Sequence, residues 1–161
     1  MKDTKELTIM KFGQQDLINM DKQMCFALYN ANKQFNHFYS EVLEQFNLTY
    51  PQYLVLSSLW DNNDAMTVRQ LGQVARLDGG TLTPLLKRLE NHGWVVRSKD
   101  PNDNRHVLIS LSTYAIEQKC DIVNLIQTKL NHLNMTDQEY RERVQEVNDI
   151  SHRLEQILTT F

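Results

Sequence analysis

The stretch LDGGTLTPLLKRLENHG, residues 77–93, decides the fold because it predicts a capped amphipathic helix. Four leucines recur at the i, i+3, i+4 and i+7 spacing of one helical stripe, which we expect to face a core. These are Leu82, Leu85, Leu86 and Leu89. Asp78 and Thr81 are both candidate N-caps, and Gly93 is expected to end the helix. A proline at position 84 suits only an early helical position, so it favours a late start.

The opposite face of this helix carries short polar side chains near its amino end and cations one turn later. It consists of Thr81, Thr83, Pro84, Lys87, Arg88 and Asn91. Residues 69–110 contain seven Lys and Arg against four Asp and Glu, a balance of +3, although the whole chain carries −3. Because salt screens charges over roughly 8 Å, this local excess matters more than the total for attracting phosphate. A chance excess is the alternative explanation.

Composition bounds the class of protein. A chain of 161 residues, 41% hydrophobic and 23% charged, can form one compact domain or a small domain with dimerising arms. Its apolar runs are too short to span a membrane and its amino terminus is too charged for a secretory signal, so we expect a cytoplasmic protein. Cys25 and Cys120 lack a CxxC motif or a neighbouring His, and the histidines are scattered. We therefore expect no disulfide scaffold, no metal and no cofactor.

The apolar spacing before this stretch predicts three helices. A long amphipathic helix over about Leu17–Phe46, roughly 45 Å, outruns a small core and should pack on a second copy or on the C-terminal helix. A Thr49-x-x-Gln52 capping box then predicts a short buried helix. Thr67 caps another helix over Val68–Ala75, in which we expect Leu71 and Val74 to point inward.

Two β-prone runs at residues 94–99 and 105–111 flank a Pro/Asn/Asp turn and predict a hairpin. A short helix, a turn, a second helix and a hairpin make a winged helix-turn-helix, whose second helix enters the major groove of DNA. Two terminal helices follow, over about Ser112–Leu133 and Thr136–Leu158. The expected fold class is therefore mostly α with a small β-hairpin wing, and the terminal helices form a dimerisation unit.

Several motifs resemble those of a known family. They are LTYPQYLVL at residues 48–56, DGGTLTPLLKRLE at 78–90, a D-x-x-D-x-R wing at 100–105 and VLISLS at 107–112. Together they resemble the MarR family of dimeric winged-helix regulators, nearly throughout the chain from about residue 20. With CFALY at 25–29, the chain is similar to the organic-hydroperoxide-sensing OhrR branch. That branch is marked by a Cys in the first helix and tyrosines four and fourteen residues later, here Cys25, Tyr29 and Tyr39.

The resemblance implies a homodimeric repressor on a pseudo-palindromic operator in double-stranded DNA, with organic hydroperoxide as inducer. The whole chain, residues 1–161, would then form one unit, with dimerisation helices at 16–47 and 112–161 around a DNA-binding lobe at 48–111. The residues expected to contact DNA are Gly80, Thr81, Thr83, Pro84, Lys87, Arg88, Asp103 and Arg105. Asp103 would orient Arg105 into the minor groove, although a solvated hairpin charge is the alternative for Arg105.

Helical geometry constrains the sensing trio. Tyr29 and Tyr39 lie 40° to either side of Cys25 around a helix, but Tyr39 is roughly 21 Å further along the axis. A phenol at position 39 could therefore reach this thiol only from a second chain. The alternative is that Cys25 is a small buried hydrophobe and the tyrosines pack an interface.

Attack on a peroxide needs a thiolate, which the early helix position and Lys22 would favour and Asp21 would oppose. Oxidation would give a sulfenic acid, captured by a second thiol. Cys120 is a candidate resolving thiol, with a bystander role as the alternative, and a small cellular thiol is the other candidate partner. Two departures from the branch concern DNA binding, since Gly79 replaces a usual serine and Asn104 an acidic residue.

Two other functions are compatible with parts of the pattern. A regulator of the same fold could respond to a small phenolic ligand between the dimer helices and the winged domain, with Cys25 only structural. A thiol peroxidase is a third hypothesis, but the chain offers Cys25 no Arg/Thr activating motif and a basic winged helix would be unexplained. We therefore expect a regulator rather than an enzyme.

Overall fold

The structure is a computed structural model that describes residues 13–101, 103 and 106–161, without the side chains of Gln14 and Gln15. Asn104 and the predicted wing arginine, Arg105, lie outside the described residues. By its internal contacts the chain divides into two units, Met1–Tyr50 and Pro51–Phe161. Within the described part, no helix is both long enough and apolar enough to cross a membrane.

The first unit contains α1 (Gln14–Ile18), a 3₁₀ turn (Met20–Lys22), α2 (Met24–Leu43) and a second 3₁₀ turn (Glu44–Phe46). The prediction of one helix from Leu17 is therefore wrong at its start. Asn19 is extended, and its side chain accepts the Asp21 N–H at 3.1 Å. Gln23 is extended as well, with φ −89° and ψ 122°. The spacing of apolar residues indicates only which side chains would share one side of a helix. Local side-chain hydrogen bonds, such as that of Asn19, decide whether the backbone stays helical.

Helix α3 (Tyr50–Asn62) starts at the last residue of the first unit and otherwise belongs to the second, which continues with β1 (Met66–Thr67), α4 (Val68–Ala75) and α5 (Gly79–Asn91). Thr67 caps α4, and its capping box with Gln70 is complete. Leu71 is buried as predicted, but Val74 is 51% exposed, so its inward placement was wrong. Val74 lies 60° around the helix from Leu71, and a helix of eight residues that ends at a left-handed Arg76 (φ 53°) buries only a narrow stripe.

Helix α5 confirms the leucine stripe, since Leu82, Leu85, Leu86 and Leu89 are all buried. Asp78 is the N-cap, so the helix starts early rather than late and Pro84 lies inside it. The expected late start was therefore wrong. The cap and the buried stripe stabilise the helix enough to tolerate the hydrogen bond that Pro84 cannot make to the Gly80 carbonyl. Gly93, with φ 74°, ends α5 as predicted.

The end of α5 leads directly into the wing. The Trp94 N–H donates to Leu89 O at 2.9 Å and the Gly93 N–H to Glu90 O at 3.0 Å, the two bonds of a Schellman motif. The predicted hairpin is present as β2 (Val95–Lys99) and β3 (Val107–Leu111).

The hairpin belongs to a three-stranded antiparallel sheet in the order β1-β3-β2, with Met66 opposite Ile109 and Val95 opposite Leu111. Sequence analysis missed β1, because two residues cannot display the alternation of a strand. Met66 is nevertheless buried in the core of this unit.

The chain closes with α6 (Thr113–Leu130), a 3₁₀ turn (Asn131–Leu133) and α7 (Asp137–Leu158). Ser112 caps α6 and Thr136 caps α7 through the predicted capping box with Glu139. The Trp60 indole N–H donates to Ala115 O at 3.2 Å and so ties α3 to α6. The apolar side chains along α7 lie 44–52% exposed in the single chain, at Val144, Val147, Leu154 and Ile157.

Candidate functional site

The outer face of α5 is where the structure brings most of the predicted DNA-contacting residues together. All six that fall on this helix are exposed, namely Gly80, Thr81, Thr83, Pro84, Lys87 and Arg88. The face is rigidly presented because α5 is fixed at both ends and along its buried stripe. A helix held in this way can enter a groove as a preformed unit.

The first turn of α5 is organised by Asp78. Its carboxylate accepts the Thr81 hydroxyl proton at 2.7 Å and the Thr81 backbone N–H at 2.9 Å. These bonds lower the pKa of Asp78 below its ordinary value of 3.8, and the bond from the Thr81 hydroxyl has the largest effect. The Thr83 hydroxyl donates to Gly79 O at 2.9 Å. The two threonines, both among the residues expected to contact DNA, therefore give their hydroxyl protons to the protein itself.

The far end of α5 contains an ion pair that sequence analysis missed. Arg97 on β2 places its Nε 2.8 Å from Glu90 Oε2, although the N–H is not aligned for a hydrogen bond. The contact neutralises Glu90, so that Lys87 and Arg88 dominate the charge of the exposed face. No local spacing could have predicted this pair, because its partners belong to different elements.

The wing is described only in part. The Asp103 carbonyl accepts the His106 N–H at 2.9 Å, and the Asp103 carboxylate lies 3.6 Å from His106 Nδ1. The Asp100 N–H also donates to the His106 carbonyl at 3.1 Å, so the two strands remain paired just beyond their ends. Orientation of Arg105 by Asp103 stays a prediction.

The second candidate site is the amino end of α2. Cys25 is the second residue of this helix, and its free thiol is exposed. The thiol donates to the Gln23 side-chain oxygen at 3.3 Å, while the Gln23 amide donates to Leu17 O. Lys22 forms an ion pair with Asp16 at 3.1 Å, a partner that the sequence analysis did not consider. Gln23 was also missed, because a residue two positions away is not a helical neighbour.

The two tyrosines of the predicted trio lie far apart. Helix α2 is continuous from Cys25 to Tyr39, so roughly 21 Å along its axis separates Cys25 from Tyr39. A single chain therefore does not bring the Tyr39 phenol to the Cys25 thiol. Tyr29 is 61% exposed. Tyr39 stacks on Tyr50, with ring centroids 4.3 Å apart and planes at 23°. Tyr50, the other member of this aromatic pair, is only half buried.

Cys120 lies on the outer side of α6. It is a free, exposed thiol between the exposed side chains of Ile116 and Val123. The placement leaves it accessible in the single chain, as a resolving thiol requires, and it is equally compatible with a bystander role. Among the described residues, no cluster of three or more His, Cys, Asp or Glu could hold a metal ion.

A cavity of about 260 Å³ lies between α3, α6 and the start of α7. Tyr53, Ile126 and Leu130 provide apolar walls, and Gln127 and Tyr140 add polar groups. Its size suits a small aromatic molecule rather than an extended one. The sequence could not predict this space, since three separate elements enclose it.

A helix-turn-helix followed by a packed hairpin defines a winged-helix protein. A family model described as MarR family matches residues 48–107. SarZ, a transcriptional regulator of Staphylococcus epidermidis, is 32% identical over 130 residues, which is 81% of this chain and 87% of SarZ. The chain therefore belongs to the MarR family of transcriptional regulators.

The chain is also similar to two further regulators. The organic hydroperoxide resistance transcriptional regulator of Bacillus subtilis is 42% identical over 97 residues, 60% of this chain and 65% of that protein, so the match spans just under two thirds of the relative. The structure of reduced AbfR bound to DNA has a TM-score of 0.77 at 32% identity, covering 91% of this chain and 99% of that one. The structure of disulfide-formed AbfR has a TM-score of 0.62 at 34% identity, covering 84% of this chain and 95% of that one.

Proposed function

We propose that the chain is a homodimeric repressor that binds a pseudo-palindromic operator and is released when an organic hydroperoxide oxidises Cys25. The observation that carries the proposal is the exposed outer face of α5, with Lys87 and Arg88 at its centre. The helix that presents this face is capped at both ends. The similarity to a DNA-bound regulator over 91% of the chain supports the same role. The wing residue Arg105 would add a minor-groove contact.

A dimer would place two copies of α5 about one DNA turn apart, roughly 34 Å, on a two-fold symmetric site. The uncovered apolar stripes of α2 and α7 support such a dimer, because water-exposed Met24, Phe35, Val147 and Leu154 would otherwise carry a hydration cost. We assign residues 16–47 and 112–161 to the dimer contact and 48–111 to the DNA-binding lobe. In this arrangement the partner's copy of α2 would bring a phenol to Cys25.

The proposed switch is a two-electron oxidation. The Cys25 thiolate attacks the distal oxygen of the hydroperoxide, the S–O bond forms, the O–O bond breaks, and the alcohol leaves after taking a proton. A second thiol then displaces water from the sulfenic acid and forms a disulfide. Cys25 lies in the first turn of α2, where its exposed thiol is accessible to an incoming peroxide. Added bulk at the dimer contact would move the two DNA-binding lobes out of register.

Substitution of the cations tests DNA binding. Arg88→Ala and Arg105→Ala should each weaken binding to the chain's own promoter fragment, with a shallower dependence of affinity on salt. Arg153→Ala, an exposed cation on α7, is the matched control and should leave affinity unchanged. Fluorescence anisotropy across a salt series measures both quantities. Unchanged affinity in both lobe variants would exclude α5 and the wing as the binding surface.

Substitution of the thiols tests the switch. One equivalent of organic hydroperoxide should release the wild-type dimer from DNA, and a thiol reductant should restore binding. Cys25→Ser should bind DNA but ignore the oxidant, because serine keeps the size and loses the nucleophile. Tyr29→Phe and Tyr39→Phe should slow oxidation without abolishing it. A normal peroxide response in Cys25→Ser would contradict the redox proposal.

Cys120→Ser separates the routes after sulfenic acid formation. Release that then needs an added small thiol identifies intermolecular capture. Loss of reversible release instead identifies Cys120 as the resolving partner. Mass spectrometry of the oxidised wild type distinguishes the mixed disulfide from the protein disulfide directly.

The cavity between α3, α6 and α7 supports a second candidate, release by a small phenolic ligand with Cys25 only structural. A phenol bound there should raise the melting temperature and weaken DNA binding of both wild type and Cys25→Ser. Val123→Trp, which projects into the cavity wall, should abolish both effects. A phenol that changes neither quantity would eliminate this candidate.

A further inference from the structure

The amino-terminal half of the exposed α5 face carries hydrogen-bond acceptors and methyl groups but no available side-chain donor. Thr81 donates its hydroxyl proton to Asp78 Oδ2 at 2.7 Å, and Thr83 donates to Gly79 O at 2.9 Å. A hydroxyl has one proton and two lone pairs, so each threonine keeps only lone pairs and a methyl group for an outside partner. Gly80 and Pro84 add no side-chain donor.

The carboxyl-terminal half of the same face has the opposite chemistry. Lys87 and Arg88 are exposed and offer donors only. The ion pair with Arg97, 2.8 Å away, offsets the negative charge of the neighbouring Glu90 carboxylate. The face therefore changes from acceptor to donor along the helix axis, within about two turns.

Base pairs present matching patterns in the major groove. Adenine offers an N6 amino donor and thymine a methyl group, whereas guanine offers only the acceptors N7 and O6. A lone pair facing a guanine acceptor is repulsive, and a threonine methyl facing a thymine methyl is a favourable apolar contact. Cytosine offers an amino donor but no methyl group, so A·T is the base pair that matches both features.

We propose that α5 selects A·T base pairs beneath Thr81 and Thr83, and that Asp78 is a positioning residue that keeps the Thr81 hydroxyl an acceptor. The inference rests on the proposed DNA binding and deepens it by naming the chemistry of the bases selected. The Asp78 carboxylate, whose pKa lies below the ordinary value of 3.8, is ionised at neutral pH and can accept this proton.

Asp78→Asn is the variant that isolates this role. The amide oxygen still accepts the Thr81 backbone N–H, and asparagine is itself a strongly preferred N-cap, so the helix should persist although the ionic contribution of the cap is lost. The amide NH₂ cannot accept the hydroxyl proton, which becomes free to donate to a base. The variant should therefore admit guanine where the wild type rejects it. Thr81→Val keeps the shape but has no hydroxyl, so it should bind the A·T site more weakly without binding the guanine site more tightly.

The experiment is selection from a randomised duplex library, followed by anisotropy on single-base variants of the selected site. The wild type should enrich A·T at adjacent positions of each half-site and bind a guanine substitution there about tenfold more weakly, the usual cost of one mismatched pair. In Asp78→Asn that penalty should fall to about twofold. Asp121→Asn, the same exchange on exposed α6, is the control and should keep the wild-type preference.

A second measurement examines the methyl contact. Uracil in place of thymine at those positions removes only the C5 methyl, and should weaken binding of the wild type but not of Thr81→Ser combined with Thr83→Ser. A selected site without A·T there, or an Asp78→Asn preference identical to the wild type, would overturn the inference while leaving DNA binding intact. Failure of the wild type to enrich any site would overturn the proposed function together with the inference.

Discussion

At the scale of single residues, capping groups define both ends of the proposed DNA-binding helix. Asp78 holds the first turn of α5 through two bonds to Thr81, and Gly93 ends it in the left-handed conformation that glycine adopts without strain. The motif was visible in the sequence, but not which of Asp78 and Thr81 was the cap. Asp78 is the cap because its carboxylate reaches both the backbone N–H and the hydroxyl of Thr81. The same bond uses the proton of the Thr81 hydroxyl.

The lowered pKa of Asp78 predicts a pH-dependent stability. Because the folded-state pKa lies below 3.8, the ionised cap stabilises the fold above about pH 4. That contribution is lost as the pH falls through the folded-state pKa. Urea unfolding at pH values from 7 to 3 should show wild type more stable than Asp78→Asn at neutral pH, with a gap that closes in acid.

Thr67, the N-cap of α4, is an uncharged control for the Asp78 cap. Its capping box with Gln70 contains no ionisable group, so Thr67→Ala should cost about 1 kcal/mol equally at all of these pH values. A pH-independent difference for Asp78→Asn would contradict the electrostatic explanation.

Gly79→Ser should stabilise the protein. A Cβ at Gly79 would meet no heavy atom within 4 Å, so serine fits without strain and restricts the unfolded chain. The expected gain in unfolding free energy is about 0.4–1 kcal/mol, with DNA affinity retained. The opposite sign is expected for Gly93→Ser, because φ is 74° there. Loss of DNA binding in a stabilised Gly79→Ser variant would indicate that DNA approaches this position too closely for a side chain.

At the scale of elements, α5 combines a strong core contact with an internal weakness. Leu82, Leu86 and Leu89 are at most 1% exposed and anchor the helix. Pro84 removes one backbone hydrogen bond from its second turn. The helix is therefore held by tertiary packing more than by its own backbone, which suits an element that must keep its outer face free.

Pro84→Ala should restore the N–H bond to the Gly80 carbonyl. We expect the unfolding free energy to rise by about 2 kcal/mol, the helical cost of proline less the entropy that alanine returns to the unfolded chain. Asn91→Ala, at the exposed end of the same helix, should change it by less than about 0.5 kcal/mol. Chemical denaturation measures both variants. A destabilised Pro84→Ala would show that the ring makes a packing contact outweighing the lost bond.

At the scale of the whole molecule, two apolar stripes remain uncovered in the single chain. Helix α2 exposes Met24 and Phe35, and α7 exposes Val144, Val147 and Leu154. The ion pair between Arg76 and Glu155, 3.8 Å and exposed on both sides, adds little to hold α7 in place. These stripes fit the proposed dimer, in which each helix would meet apolar surface of a second copy.

Leu154→Glu should therefore dissociate the dimer. The wild type is expected at twice the chain mass of 19.0 kDa in sedimentation equilibrium, and the variant at the single-chain mass or in a concentration-dependent mixture. Burying an unpaired carboxylate in an apolar contact is the physical reason. Gln145→Glu introduces the same charge on the opposite face of α7 and should leave the mass unchanged. A dimeric Leu154→Glu would exclude this stripe as the contact.

Interactions within about two turns of one helix were determined by the sequence alone. The leucine stripe of α5, the cap at Thr67, the capping box at Thr136 and the glycine stop at Gly93 each depend on residues at most seven positions apart. The resemblance to the MarR family came from the same local stretches. These features could be predicted because the groups that interact are fixed in spacing by the helix itself.

Only the tertiary structure decided the features whose partners are distant along the chain. Strand β1 exists because Met66 pairs with Ile109, Trp60 bonds to Ala115, and Arg97 meets Glu90 across the step from helix to sheet. The break before α2 and the exposure of Val74 likewise departed from the apolar pattern. A pattern of apolar residues specifies that a face is favourable to bury, but what covers it depends on which segments the folded backbone brings together.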